Sequence, residues 1–159
     1  MNVFIIQTLI MILLAFIIFY LIIYNKALKI EKRISKYTKL NIIEVKDYDY
    51  DDINKVLQAE KEQIEKHIDS KDYLITLEIE GKQITSEELA KTLDNTLTIN
   101  SNITFVIGGS YGIDQSIKNK ANFHLSFSSL TFPHQLFRVL LLEQIYRAYK
   151  INNNESYHK

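Results

Sequence analysis

Two short loops hold the residues best suited to chemistry. Three of the four glycines, Gly108, Gly109 and Gly112, fall in FVIGGSYG, and the only proline, Pro133, falls in SFSSLTFPHQ. Glycine allows a tight turn and lets a backbone come close to a ligand, while the serine hydroxyls of SFSS offer short donors and acceptors. Each loop follows an apolar run, so in a parallel sheet both would emerge at carboxyl ends of strands, where α/β folds bind ligands. On pattern alone the glycine loop fits either a ligand site or an ordinary tight turn. The histidines, His67, His124, His134 and His158, show no metal-ligand spacing, and there is no cysteine. Thiolate ligands, disulfides and a cysteine nucleophile are therefore excluded, and no metal is expected.

The elements that would position these loops alternate in kind. Runs rich in β-branched and aromatic residues read as strands: LNIIEV (40–45), YLITLEI (73–79), ITFVIG (103–108) and HLSFS (124–128). Between them Ile53, Val56, Leu57, Ile64 and Ile68 recur at helical spacing, and Thr85 with Glu88 forms a capping-box pattern before ELAKTL. A closing helix is expected over residues 134–150, with Pro133 at its start. The fold class is α/β, a parallel sheet flanked by helices. DYDYDD (47–52) reads as a solvated loop, since its spacing is not that of a calcium loop.

Lysines and arginines balance acidic residues at 19 each, so net charge gives no sign of a strongly basic nucleic-acid surface. The opening run, VFIIQTLIMILLAFIIFYLIIY (3–24), is interrupted only by Gln7 and Thr8. As a helix it would measure about 33 Å, enough to cross a hydrocarbon core of about 30 Å. Lys26, Lys29, Lys32, Arg33, Lys36 and Lys39 follow it against Glu31 alone, which would hold that side in the cytoplasm. Residues 1–28 thus form an apolar segment and residues 29–159 the domain behind it. Three accounts fit the segment: a membrane span, a buried first strand and helix, or an altered reading frame in the opening codons.

Over about residues 30–159 the chain resembles the small SPOUT-class (α/β-knot) methyltransferases that methylate N3 of a pseudouridine in 23S ribosomal RNA. The residues that carry the likeness are FVIGGS (105–110), Gly112, LSFS (125–128), TFPHQ (131–135), Arg138, EQIYRA (143–148) and YHK (157–159). ITLEIEGK (75–82) and EKRISKY (31–37) add weaker matches. Two departures lie within the domain: a serine, Ser129, where the family commonly has lysine, and Asn153 with Asn154 near its arginine-glycine pair. A third lies upstream, where the family begins with a short strand, a Gly-Lys loop and a polar helix.

The resemblance implies a carboxyl-terminal trefoil knot, a homodimer, a cytoplasmic location and 23S rRNA in the ribosome as substrate. It also implies S-adenosyl-L-methionine held by Leu77, by Gly108 and Gly109, and by Phe127, Ser128, Ser129, Leu130, Thr131 and Phe132. His158 would be the general base, against a tail histidine that only contacts RNA. Tyr157 would stack on the target base or else pack the tail. Arg138 and Arg147 would hold RNA, against pairing with carboxylates such as Glu143. His134 belongs to the helix start, and Leu136, Val139, Leu140 and Ile145 to the core or a dimer interface. The rival function is a membrane-tethered, catalytically silent binding protein on the same fold.

Overall fold

The computed structural model describes residues 3–156. In order they form α1 (Val3–Ile34), α2 (Ile53–Glu65), β1 (Tyr73–Gln83), α3 (Ser86–Ile99), β2 (Ile103–Ile107), α4 (Gln115–Lys118), β3 (Phe123–Ser126) and α5 (His134–Asn152). The strands make one parallel sheet in the order β2-β1-β3, with Leu77 of β1 opposite Ile107 on one side and Leu125 on the other. The α/β expectation holds for the described residues.

Alternation along the strands divides the core in two. On one face Ile75, Leu77 and Leu125 pack against Leu89, Ala90 and Leu93 of α3 and Val139, Leu142 and Ile145 of α5. On the other Leu74 and Val106 meet Ile113 and Ile117, with Ile64 of α2 against them. The connection after β1, through α3, therefore covers one face, while the connection after β2, through α4, covers the opposite one. Adjacent strands whose connections leave to opposite faces open a crevice between their carboxyl ends. Here the two strands are β1 and β2, and Gly108 begins the loop beyond the second.

Local signals place the helices where their spacing suggests. Asp52, the last acid of DYDYDD, caps α2 by accepting from Asn54 N at 2.9 Å. The capping box of α3 closes in both directions, Glu88 N donating to Thr85 Oγ1 at 3.1 Å and Thr85 N to Glu88 Oε2 at 2.7 Å. Pro133 stands one residue before α5, as its N-cap.

Two expectations are corrected. LNIIEV forms no strand: residues 40–45 are irregular, and Ile42 and Ile43 are exposed. A strand needs a neighbour to satisfy its backbone, and the stretch that would supply a first strand is helical here. Nor do residues 5–22 make a buried strand and helix, because they belong to one continuous helix and are exposed throughout. Only the far end of α1 docks. Ala27, Ile30 and Ile34 are buried against the core, the two isoleucines contributing about 1.5–3 kcal/mol each. Helix α1 thus runs unbroken across the boundary expected at residue 28.

Candidate active site

Register brings the predicted cofactor residues together. Gly108 follows β2 and Phe127 follows β3, so the strands flanking Leu77 deliver both loops to its carboxyl side. Gly112 takes a φ of +85°, which suits glycine, and Gly112 N donates to Gly109 O at 3.0 Å to close the turn. Gly108 is needed for another reason. A Cβ there would meet the backbone C and O of Gly112 at 2.5 Å and Ile113 Cγ1 at 2.8 Å.

The third loop is shaped by its own serines and aromatics. Ser126 Oγ donates to Ile79 O at 3.0 Å, and Leu130 N donates to Ser128 Oγ at 3.0 Å, a short side-chain turn. Phe127 and Phe132 both pack on Phe137 of α5, with ring centroids 5.1 and 6.0 Å away. Ser129, Leu130 and Thr131 remain exposed. Leu77, Gly108, Gly109 and residues 127–132 therefore gather at one end of the sheet.

The remaining candidates stand differently. Arg138 turns towards α1, with Nη2 3.7 Å from Glu31 Oε1 and Nη1 3.7 Å from Glu44 Oε2. Arg147 is half-buried farther along α5. His134 is exposed as the first residue of α5. Tyr157 and His158 lie outside the described residues.

Sequence reasoning missed two acidic groups. Glu60 is 7% exposed and sits under the glycine loop, its oxygens 2.7 and 2.8 Å from where a Gly109 side chain would begin. Burial, then the nearby Asp47, pushes its carboxyl above the ordinary range, and His134 offsets this in part. The available signal was its place between Val56 and Ile64 at helical spacing, a charge on an apolar stripe. Glu78, next to Leu77, accepts from Thr76 Oγ1 at 2.6 Å, lies 2.8 Å from His124 Nδ1 and pairs with Lys118 at 3.1 Å. Burial alone would raise its carboxyl, but these hydrogen bonds outweigh burial and hold it below the usual glutamate range.

These residues leave the strand ends suited to a bound cofactor. Phe127 and Phe132 offer apolar ring surface, and the Glu60 carboxylate favours a positive charge, while the space beside Gly108 and Gly109 is taken up by Gly112 and by Glu60.

Comparison with known proteins agrees. The family described as "Predicted SPOUT methyltransferase" matches residues 23–158, leaving the first apolar turns of α1 outside. The ribosomal RNA large subunit methyltransferase H of Clostridium botulinum strain Hall is 52% identical over 135 residues, 80% of this chain and 85% of that protein. A Methanococcus vannielii protein provisionally given the same name is 51% identical over 142 residues, 85% of this chain and 89% of its own. Neither name supports a silent binding protein. With a family match over most of its length and relatives about half identical to it, the chain belongs to the SPOUT methyltransferase family.

Proposed function

We propose that this chain is an S-adenosylmethionine-dependent methyltransferase that methylates N3 of a pseudouridine in 23S ribosomal RNA. The observation that carries the reading is that parallel pairing brings Leu77, the Gly108–Gly109 turn and the loop of residues 127–132 to one end of the sheet. The names of the similar proteins, which specify large-subunit ribosomal RNA, support the substrate.

S-adenosylmethionine supplies an electrophilic methyl on a sulfonium, so transfer is an in-line displacement needing alignment, dryness and loss of the N3 proton. The chain's part follows from its residues. The glycine turn and the third loop fix the donor; Arg138 and Arg147 hold RNA; Tyr157 orients the base; His158 takes the N3 proton. A neutral histidine near pH 7 can accept a proton without a metal.

Helix geometry favours a dimer with a shared site. Phe137, in the first turn of α5, packs on the third loop, whereas Glu155, beyond the last turn, is bound by Tyr37 OH at 3.0 Å and by Lys150. The 19 residues of α5 put about 28 Å between those ends. Three extended residues beyond Glu155 reach about 10 Å. A tail so placed serves the crevice of a second copy more readily than its own. The carboxyl-terminal knot belongs to the same proposal, on family likeness.

We also read α1 as a membrane anchor that holds the domain on the cytoplasmic face. Residues Ile5–Ile34 include a window of mean hydropathy 2.8 with none of it buried, and the basic residues from Lys26 onward fit the cytoplasmic side. Calorimetry of the detergent-purified chain tests the cofactor reading. Saturable 1:1 binding of S-adenosylmethionine per chain is expected; a folded chain that binds none would exclude the reading.

A further inference from the structure

Glu60 is a carboxylate where the pattern of α2 calls for an apolar side chain. The residue is more than nine-tenths buried, no hydrogen bond or ion pair to its oxygens occurs among the described residues, and those oxygens keep an edge open to solvent. The groups acting on it at longer range are Asp47, which repels it, and His134, which opens α5 beside the third loop. Its oxygens fill the space that Gly109 leaves open. Glu60 therefore stands against the glycine turn, within electrostatic reach of the start of α5.

A carboxylate that is largely desolvated and meets no protein donor is poorly stabilised. Its cost is relieved by a ligand that brings both positive charge and N–H groups. An ammonium brings three donors. A sulfonium is equally cationic but has no N–H, so it leaves the carboxylate's lone pairs unmet. We infer that Glu60 binds the ammonium of the methyl donor's amino-acid arm. This rests on the S-adenosylmethionine reading and assigns the orientation of that ligand: amino-acid arm towards α2, with the aromatic third loop left for the base.

The test is calorimetry on the full chain in detergent with three ligands, together with thermal melting of the unliganded protein. S-adenosylmethionine carries ammonium and sulfonium, S-adenosylhomocysteine ammonium alone, and 5′-deoxy-5′-methylthioadenosine neither. Glu60→Gln should weaken the first two by about 10- to 100-fold, the range of a lost charge-assisted hydrogen bond. Affinity for the third should change by less than about threefold. The unliganded variant should melt at the same temperature or higher, because a largely desolvated charge with no protein partner has been removed. Glu60→Met should behave alike. Equal losses for all three ligands, a loss for S-adenosylmethionine alone, no loss at all, or variants that melt lower or fail to fold would each overturn the assignment. A wild-type chain that binds none of the three would remove the cofactor reading and this inference with it. Binding of all three, unchanged by Glu60→Gln, would remove only the inference.

Discussion

Gly108→Val should reduce S-adenosylmethionine affinity by a factor of about 100 or more, since an ångström of displacement at an aligned site costs that much. Its Cβ would sit 2.5 Å from the backbone of Gly112, and backbone cannot swing aside as a side-chain end can. The turn must open, and Ile113, buried in the second core cluster, moves with it. A cost of about 1–3 kcal/mol is expected from such overpacking, seen as a melting point lower by several degrees. Gly109→Val makes the useful contrast. The three atoms nearest its Cβ all belong to the carboxylate end of Glu60, which can rotate away, so affinity should fall while the melting point stays nearer wild type. Calorimetry paired with thermal melting separates the two. A folded Gly108→Val chain with unchanged affinity would return the loop to an ordinary turn.

The second large effect concerns α1. If residues 3–24 span, the protein should stay in the membrane pellet after alkaline carbonate washing, and detergent should release it. Ile12 and Phe16 are exposed on the free part of the helix, at 48% and 68%. Ile12→Lys with Phe16→Lys costs about 6–8 kcal/mol of insertion, comparable to the whole run's gain. The double variant should therefore shift into the carbonate-soluble fraction, while the domain's melting point stays put because neither side chain packs in the core. A wild-type protein that is soluble after washing, from a gene whose opening codons are confirmed by resequencing, would rule out the anchor.

Much of the frame was readable because it is set locally. Thr85 and Glu88 announce α3 through a reciprocal bond spanning three residues, and FVIGG marks both the end of β2 and the turn after it. What failed depends on partners distant in sequence. LNIIEV has strand composition, yet no strand among the described residues pairs with it, since the chain's opening became helix. β1 runs on beyond Ile79 to Gln83, through a register shift against β3 that leaves Gly81 pressed on the backbone of His124 and Leu125. The carboxylates beside Arg138 are Glu31 and Glu44 rather than the neighbouring Glu143, a pairing hidden because both lie about a hundred residues earlier. Glu60 was hidden by a habit of reading. A charge inside a helical stripe reads as an interruption, and its burial under the glycine loop depends on residues some fifty positions later.

The central claim is methyl transfer to one ribosomal nucleoside. Large ribosomal subunits carrying the unmethylated pseudouridine, incubated with the full chain and S-adenosylmethionine, should yield 23S rRNA in which that nucleoside gains the mass of one methyl group. The gain should sit on N3 after digestion and fragmentation, and it should vanish with Gly108→Val. Ribosomal RNA whose nucleosides show no added methyl, in the presence of a folded chain that binds S-adenosylmethionine, would contradict the account.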